Sequence, residues 1–280
     1  VYAMTAALEL RADTTACHEC RTKPCYTGND EREGCPLYEF PQTMDSNRNC
    51  TLCGECVKIC PRNAIRISPR QPGRELWLLR RPLLAEATLG VVMVALVYLQ
   101  TIDMTLPWGD YVKMVVENTP LQSYNAVFSA TFGAVIGLAL SGYLVASWAA
   151  ARIGGIGLAA SLGVFGYAFV PLALAGHLGH NFSHLLLEGP AALQVILSQA
   201  GLITLPQATS EAVPDYRGVT LLAVAVLLLG IAGAFYVLRR LARRYIPTPR
   251  AAWPQFALLT AFSVAYLVMF LLPMNPRHGH

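Results

Sequence analysis

Cysteine is absent from residues 61–280, and charge is scarce along the whole chain. Only 14% of residues are Asp, Glu, Lys or Arg, against about a quarter in soluble domains. With a mean hydropathy of +0.43, most of this length cannot be an ordinary water-soluble fold. Arginines flank apolar runs and are not interleaved with exposed aromatics, which argues against nucleic-acid binding. The net charge of +4 says little about partners by itself. There is no CxxCH haem-attachment motif: His18 precedes the second Cys of Cys17-His18-Glu19-Cys20 and reads as a solvated loop residue. No signal-peptide pattern opens the chain. It begins on Val1, and an upstream portion is expected.

What is present is concentrated. All eight cysteines lie between residues 17 and 60. The second set reads Cys50-x2-Cys53-x2-Cys56-x3-Cys60-Pro61, the bacterial ferredoxin run whose thiolates hold a [4Fe–4S] cube. The first reads Cys17-x2-Cys20-x4-Cys25-x9-Cys35-Pro36. It is irregular, and is read with the second because it lies beside it and also ends in Cys-Pro. Three cysteines at x2 intervals let one loop wrap three iron corners, so the fourth thiolate must come from elsewhere. In two-cluster ferredoxins the Cys before Pro serves the other cluster. The expected sets are Cys50, Cys53, Cys56 and Cys35 for one cluster, and Cys17, Cys20, Cys25 and Cys60 for the other. Four disulfides fit this spacing poorly, and zinc would prefer separated CxxC pairs, often with His.

Residues 1–82 hold 22 of the 38 charged residues, and Leu, Ala, Val and Gly dominate the rest. Five runs approach the length of about 20 apolar residues that a bilayer requires: 83–101, 124–150, 153 to at least 175, 219–238 and 256–272. The expected fold class is an α-helical membrane protein of about five transmembrane helices, preceded by a small α+β two-cluster ferredoxin-like domain. The boundary is expected near residue 75, giving domains 1–75 and 76–280. Ala6–Arg11 and Ala64–Ser68 alternate and are expected to pair as strands. The polar insertion 26–34 reads as an exposed loop, and 69–75, with two prolines and a glycine, as a linker.

Arginines 62, 66, 70, 74, 80 and 81, then 152, then 239, 240, 243, 244 and 250 fall on alternate loops. Loops 102–123 and 188–218 are poor in basic residues. The positive-inside rule then places the cysteine domain in the cytoplasm and the C-terminus outside. Aromatics near span ends fit interfacial belts: Trp77, Trp148, Tyr245 and Trp253 inside, Trp108, Tyr111 and Tyr124 outside. Gly133-x3-Gly137, Gly154, Gly155, Gly157, Gly163 and Gly166 suit close helix packing. Pro171 is expected to kink the third span, and 190–205 to lie along the outer interface.

A second constellation is His177-x2-His180-x3-His184-x3-Glu188, one stripe of a helix. Ionisable groups at membrane depth are functional candidates. Three readings stay open: haem b ligation with a histidine from another subunit, a quinone contact where His exchanges protons, or a polar helix end that docks a partner. On the expected topology the stripe lies outside and the clusters inside, separated by about 30 Å of hydrocarbon.

The stretch Asn47-Arg48-Asn49-Cys50-Thr51-Leu52-Cys53-Gly54-Glu55-Cys56-Val57-Lys58-Ile59-Cys60-Pro61, with its Arg-rich connection to membrane helices, resembles the NapH/NosR-type membrane polyferredoxins of bacteria. The resemblance covers residues 17–81 and the helices only in kind. It implies electron exchange in the bacterial cytoplasmic membrane, through two [4Fe–4S] clusters, between the quinone pool or a soluble donor and a redox partner within a respiratory or other complex. A role inside a quinone-linked oxidoreductase, a non-catalytic anchor and docking subunit, and a maturation factor or redox sensor are the alternatives.

Overall fold

In the computed structural model, residues 2–202 and 216–273 are described. The chain divides into two compact units, Val1–Pro82 and Leu83–His280.

In the N-terminal unit, β1 (Leu8–Ala12) pairs antiparallel with β2 (Ile65–Pro69), in the register Leu10↔Ile67 and Ala12↔Ile65. The two strands expected from alternation are thus both present. Between them run three short helices: α1 (Thr14–His18), α2 (Pro24–Thr27) and α3 (Glu55–Lys58). Leu10, Cys25, Cys56, Ile59 and Ile65 form the core. A fully buried Leu or Ile stabilises the fold by about 1.5–3 kcal/mol, so this core is small. A buried polar network supplements it. Asn47, 1% exposed, accepts from the Leu10 amide at 3.2 Å, and its own amide donates to Glu75 at 3.0 Å. Arg70 ion-pairs with Glu75 and donates to the carbonyls of Ala6 and Ala3, both at 2.8 Å.

The unit therefore runs on to Pro82, past the boundary expected at 75. Segment 69–75 is not a loose linker, because Arg70 and Glu75 are buried and join it to the chain's first residues. The polar insertion 26–34 is a closed, largely exposed turn. Asn29 Oδ1 accepts from the amides of Glu31 and Arg32, and the base is shut by Cys35 N–H donating to Cys25 O at 3.1 Å. Gly34 is required there: a Cβ would overlap the Tyr26 carbonyl.

The second unit is helical. Five segments are long and apolar enough to cross a membrane: Leu84–Ile102, Tyr124–Gly154, Leu158–Leu186, Arg217–Tyr245 and Arg250–Leu271. They contain α4 (Leu84–Ile102), α6 (Tyr124–Gly154), α7 (Leu158–Phe165), α8 (Val170–Leu187), α10 (Tyr216–Tyr245) and α11 (Trp253–Leu271). The third is broken at the 3-10 turn Gly166–Phe169, and Pro171 lies in the first turn of α8. The proline ring clashes with a carbonyl four residues earlier and donates no hydrogen bond, so the helix tightens just upstream of it.

Lipid tails are as apolar as leucine, so the helices associate through close packing of small residues. A Cβ on Gly90 of α4 would lie 2.7 Å from the Gly166 carbonyl, and one on Gly230 of α10 would lie 2.8 Å from the Pro171 carbonyl. Gly154 and Gly166 make close contacts, as their type suggested. Gly133, Gly137, Gly155, Gly157 and Gly163 do not: nothing described lies within 4 Å of where their Cβ would be. Gly90 packs as a single glycine, whereas Gly176 and Gly230 are each followed three residues on by a second glycine in contact, Gly179 against Phe270 and Gly233 against Pro171. A buried polar set crosses the bundle, with Gln255 donating to Ser147 Oγ at 2.8 Å and Ser161 donating to the Ser147 carbonyl at 2.9 Å.

The stretch read as loop 102–123 contains helix α5 (Leu106–Asn118). It packs through Trp108, which is 6% exposed and sits edge-on to Phe128. Trp77 is likewise buried, whereas Trp148, Trp253 and Tyr124 are more than half exposed near helix ends. Much of 190–205 is the exposed helix α9 (Gly189–Gln199); residues 203–205, like Glu211, Asp215, His278 and His280, fall outside the described part.

Candidate functional site

The cysteines line two cavities. One has Cys35, Cys50, Cys53 and Cys56 in its wall. The other has Cys17, Cys20, Cys25 and Cys60. Each takes three thiols from one half of the sequence and its fourth from the Cys-Pro of the other half. None of the eight is disulfide-bonded. Among the described residues no three His, Cys, Asp or Glu converge as they would on a single metal ion. Four thiols spread round a cavity suit a cluster with several iron corners better than one zinc.

Local backbone geometry makes this possible. Cys25 and Cys56 each lie in a one-turn helix, α2 and α3, entered through a left-handed residue, Lys23 (φ 47°) and Gly54 (φ 80°). Both Cys-Pro motifs end in a second left-handed residue, Tyr38 (φ 55°) and Asn63 (φ 48°), whose amides donate to the carbonyls of Cys35 and Cys60. Leu52, before Cys53, is left-handed too (φ 56°). Such a conformation costs a residue with a side chain about 1–2 kcal/mol. Four of them around eight cysteines is the concentration of strain that marks a functional site. The two halves share this turn geometry although their spacing differs, x4 against x2.

Two amides point at sulfur: Leu52 N–H donates to Cys50 Sγ at 3.4 Å, and Ala64 N–H to Cys60 Sγ at 3.3 Å. Both would stabilise thiolate charge. Burial, reinforced by neighbouring thiols, pushes the Cys25 thiol up to about 11 and the Cys56 thiol to about 12. Burial also raises Cys17 and Cys50. Without a metal these groups are protonated at neutral pH, and only a strong Lewis acid would hold them as thiolates.

The histidine stripe lies on α8. His180 Nδ1 is 3.2 Å from Thr101 Oγ1 of α4, and Thr101 donates to the Val97 carbonyl. His184 Nδ1 is 3.0 Å from Glu188 Oε1, and the rings of His180 and His184 meet edge-to-face at 4.8 Å. His177 is half-buried one turn before, its carbonyl accepting from Asn181. Thr101, the cross-helix partner of His180, carried no signal in sequence.

A family model, the 4Fe-4S binding domain Fer4, matches residues 46–66, which span Cys50, Cys53, Cys56 and Cys60. No curated protein and no solved structure matches the chain. The chain thus carries a 4Fe-4S binding domain, together with helices that could span a membrane.

Proposed function

We propose that this chain is a membrane-anchored electron carrier of the NapH/NosR-like polyferredoxin type. It would hold two [4Fe–4S] clusters with crossed ligation and pass electrons between a cytoplasmic or quinone-pool donor and another redox protein. The observation that carries this reading is the pair of cavities, each lined by three cysteines of one half and the Cys-Pro cysteine of the other. When bound, a cluster of this kind takes up and releases one electron at a time. The chain's own residues do the rest. Cysteine thiolates fix each site, the amides of Leu52 and Ala64 stabilise sulfur charge, and Leu10, Phe40 and Ile65 in the walls keep water out. The arginine distribution supports a cytoplasmic position for this unit in the bacterial inner membrane. Iron analysis with EPR tests the reading: about eight irons per chain are expected, and about four would overturn the two-cluster scheme.

A second reading concerns the helices. Two imidazoles whose Nδ1 atoms are engaged by Thr101 and Glu188 leave both Nε2 atoms for another group. Rings 4.8 Å apart on one helix cannot take opposite faces of one haem, so haem b would need its second histidine from another subunit; a proton-exchanging quinone contact needs none, and we favour it. This would make the chain part of a quinone-linked oxidoreductase. His180→Ala with His184→Ala should abolish quinone-linked reduction of the clusters and leave reduction by dithionite intact. Unchanged quinone-linked reduction would leave only partner docking for the stripe.

A further inference from the structure

The two cavities differ in what closes them from outside. In the wall of the Cys17, Cys20, Cys25 and Cys60 cavity the exposed residues are Lys23, Pro61 and Arg62, two of them charged. In the wall of the Cys35, Cys50, Cys53 and Cys56 cavity they are Pro36, Leu37, Thr51 and Cys53, none of them charged. Cys53 is the one exposed cysteine of the eight. Leu37 is 45% exposed, and the next residue, Tyr38, is 79% exposed. Tyr38 is also left-handed, at φ 55°, so a strained turn holds a large aromatic ring out in water close to Cys35. Exposed aromatics with an apolar surround are what protein interfaces use as anchors.

The charges around this face say what would cover it. Arg32 of the 26–34 insertion reaches Glu55, two residues after Cys53, at 3.7 Å, which sets the insertion beside the face. Lys58 joins the same carboxylate at 2.6 Å. Asp30, Glu31 and Glu33 of the insertion are exposed and meet no cation among the described residues. Glu39 has only a neutral partner, the Asn49 side-chain amide at 2.7 Å. These five carboxylates stand against two cations, so three negative charges are unmatched. Arg48 adds nothing, since Asp45 lies 3.8 Å from it, and counting Lys23, which rests over the Phe40 ring, still leaves two. A face with this surplus repels anionic lipid headgroups and a second copy of itself, and it attracts a basic surface.

We infer that a separate one-electron carrier protein docks here through a basic face of its own, with Leu37 and Tyr38 at the centre of the contact, and that electrons cross between it and the Cys35, Cys50, Cys53 and Cys56 site. This rests on the two-cluster reading above and adds to it the docking surface and the chemistry of the partner. The step is one electron: one protein's centre is oxidised, the other's is reduced, and no bond or proton moves. Uncharged wall residues shed their water at little cost, so the partner's centre comes close to the Cys53 sulfur. At the other cavity a partner would first have to desolvate Lys23 and Arg62.

Stopped-flow oxidation of the full chain tests this, with the protein purified in detergent with its clusters, reduced by dithionite and freed of excess reductant. The probe is cytochrome c, a basic one-electron carrier. Its reaction is expected to be fast at low salt and to slow as salt rises. Tyr38→Asn removes the ring and keeps a residue that tolerates the left-handed turn; it should cut the second-order rate constant about tenfold. Glu31→Gln with Glu33→Gln should cut it about fivefold at low salt and little at high salt. Glu19→Gln, which removes the carboxylate paired with Arg62 beside the other cavity, should leave it unchanged. If the rate rises with salt, if Tyr38→Asn leaves it unchanged, or if Glu19→Gln slows it as much as the Glu31 and Glu33 pair does, while iron stays near eight per chain, the inference fails and the two-cluster reading stands. It fails in the same way if Tyr38→Asn alters only self-association of the chain, which would assign the face to a second copy. If the unmodified protein holds about four irons, the reading fails and the inference with it.

Discussion

The N-terminal unit and the helical unit are held together by opposite means. In the first, the apolar core is small and cysteines form part of it. Buried Asn47, Arg70 and Glu75 tie strand to connection, and strained left-handed residues stand at the cysteine turns. In the second, polar groups are few and the helices meet where side chains are missing, at Gly90, Gly166, Gly176 and Gly230. The difference teaches that one unit depends on a ligand to justify its backbone, whereas the other needs only surface fit. Strain of about 1–2 kcal/mol at each of four residues is hard to sustain from such a core without metal–thiolate bonds.

Removing iron should therefore break the comparison most sharply. Chelation under reducing conditions is expected to abolish cooperative structure in residues 2–82, because metal-binding free energy is folding free energy in such small units. The membrane helices should keep their far-UV circular dichroism. A protease-resistant N-terminal unit after complete iron loss would refute this. The next largest effect is local. Cys60→Ser should damage the cluster that includes Cys17, Cys20 and Cys25 more than the one that includes Cys50, Cys53 and Cys56. EPR of the variant checks it, and loss of the nearer cluster instead would overturn the crossed assignment.

Two substitutions compare the packing modes directly. Gly230→Val drives a side chain toward the Pro171 carbonyl and Ala175 and should cost about 1–3 kcal/mol of bundle stability without changing iron content. Asn47→Ala removes the acceptor of the Leu10 amide, while Glu75 keeps the Asn47 backbone N–H and Arg70; it should cost the N-terminal unit about 1–3 kcal/mol, leaving the bundle untouched. Thermal melts followed separately by cluster absorbance and helical signal distinguish the two.

The smallest effect is on pH. Cys25 and Cys56 are held protonated up to about 11 and about 12, above their ordinary thiol range. Cluster loading must then displace protons, so loading is favoured as pH rises, and reconstitution at about pH 8.5 should outpace that at about pH 6.5. In the iron-free state the sign is reversed. The folded thiols bind protons more tightly than unfolded ones, so any residual structure is stable below the ordinary thiol pKa and is lost as pH climbs through 11 to 12. Potentiometric proton release during loading measures the first effect directly.

Chain order alone made a good deal of this protein legible. Cys-x2-Cys-x2-Cys-x3-Cys-Pro declares a cluster site because three thiols at that spacing wrap one cubane. Runs of about 20 apolar residues declare membrane spans because the bilayer dictates their length. The alternation in Ala6–Arg11 and Ala64–Ser68 was enough to pair β1 with β2. Other features depend on residues far apart in sequence and have no local signature. The irregular Cys17–Cys35 set adopts the turn of its regular neighbour only because Lys23 and Tyr38 take left-handed conformations, which their residue types do not advertise. Segment 69–75 has a linker's composition, yet Glu75 is buried beside Asn47 and Arg70 beside the carbonyls of Ala3 and Ala6. Gly90 and Gly230 look no different from Gly133 and Gly137, because whether a glycine admits a neighbour is decided by the neighbour. Sequence determined what this chain can bind and where it can cross a membrane, since thiol spacing and hydrophobic length are properties of consecutive residues. Tertiary structure alone decided that the irregular half-motif takes the turns of the regular one and which glycines admit a neighbouring helix, because those contacts are set by packing between segments that the chain keeps tens of residues apart.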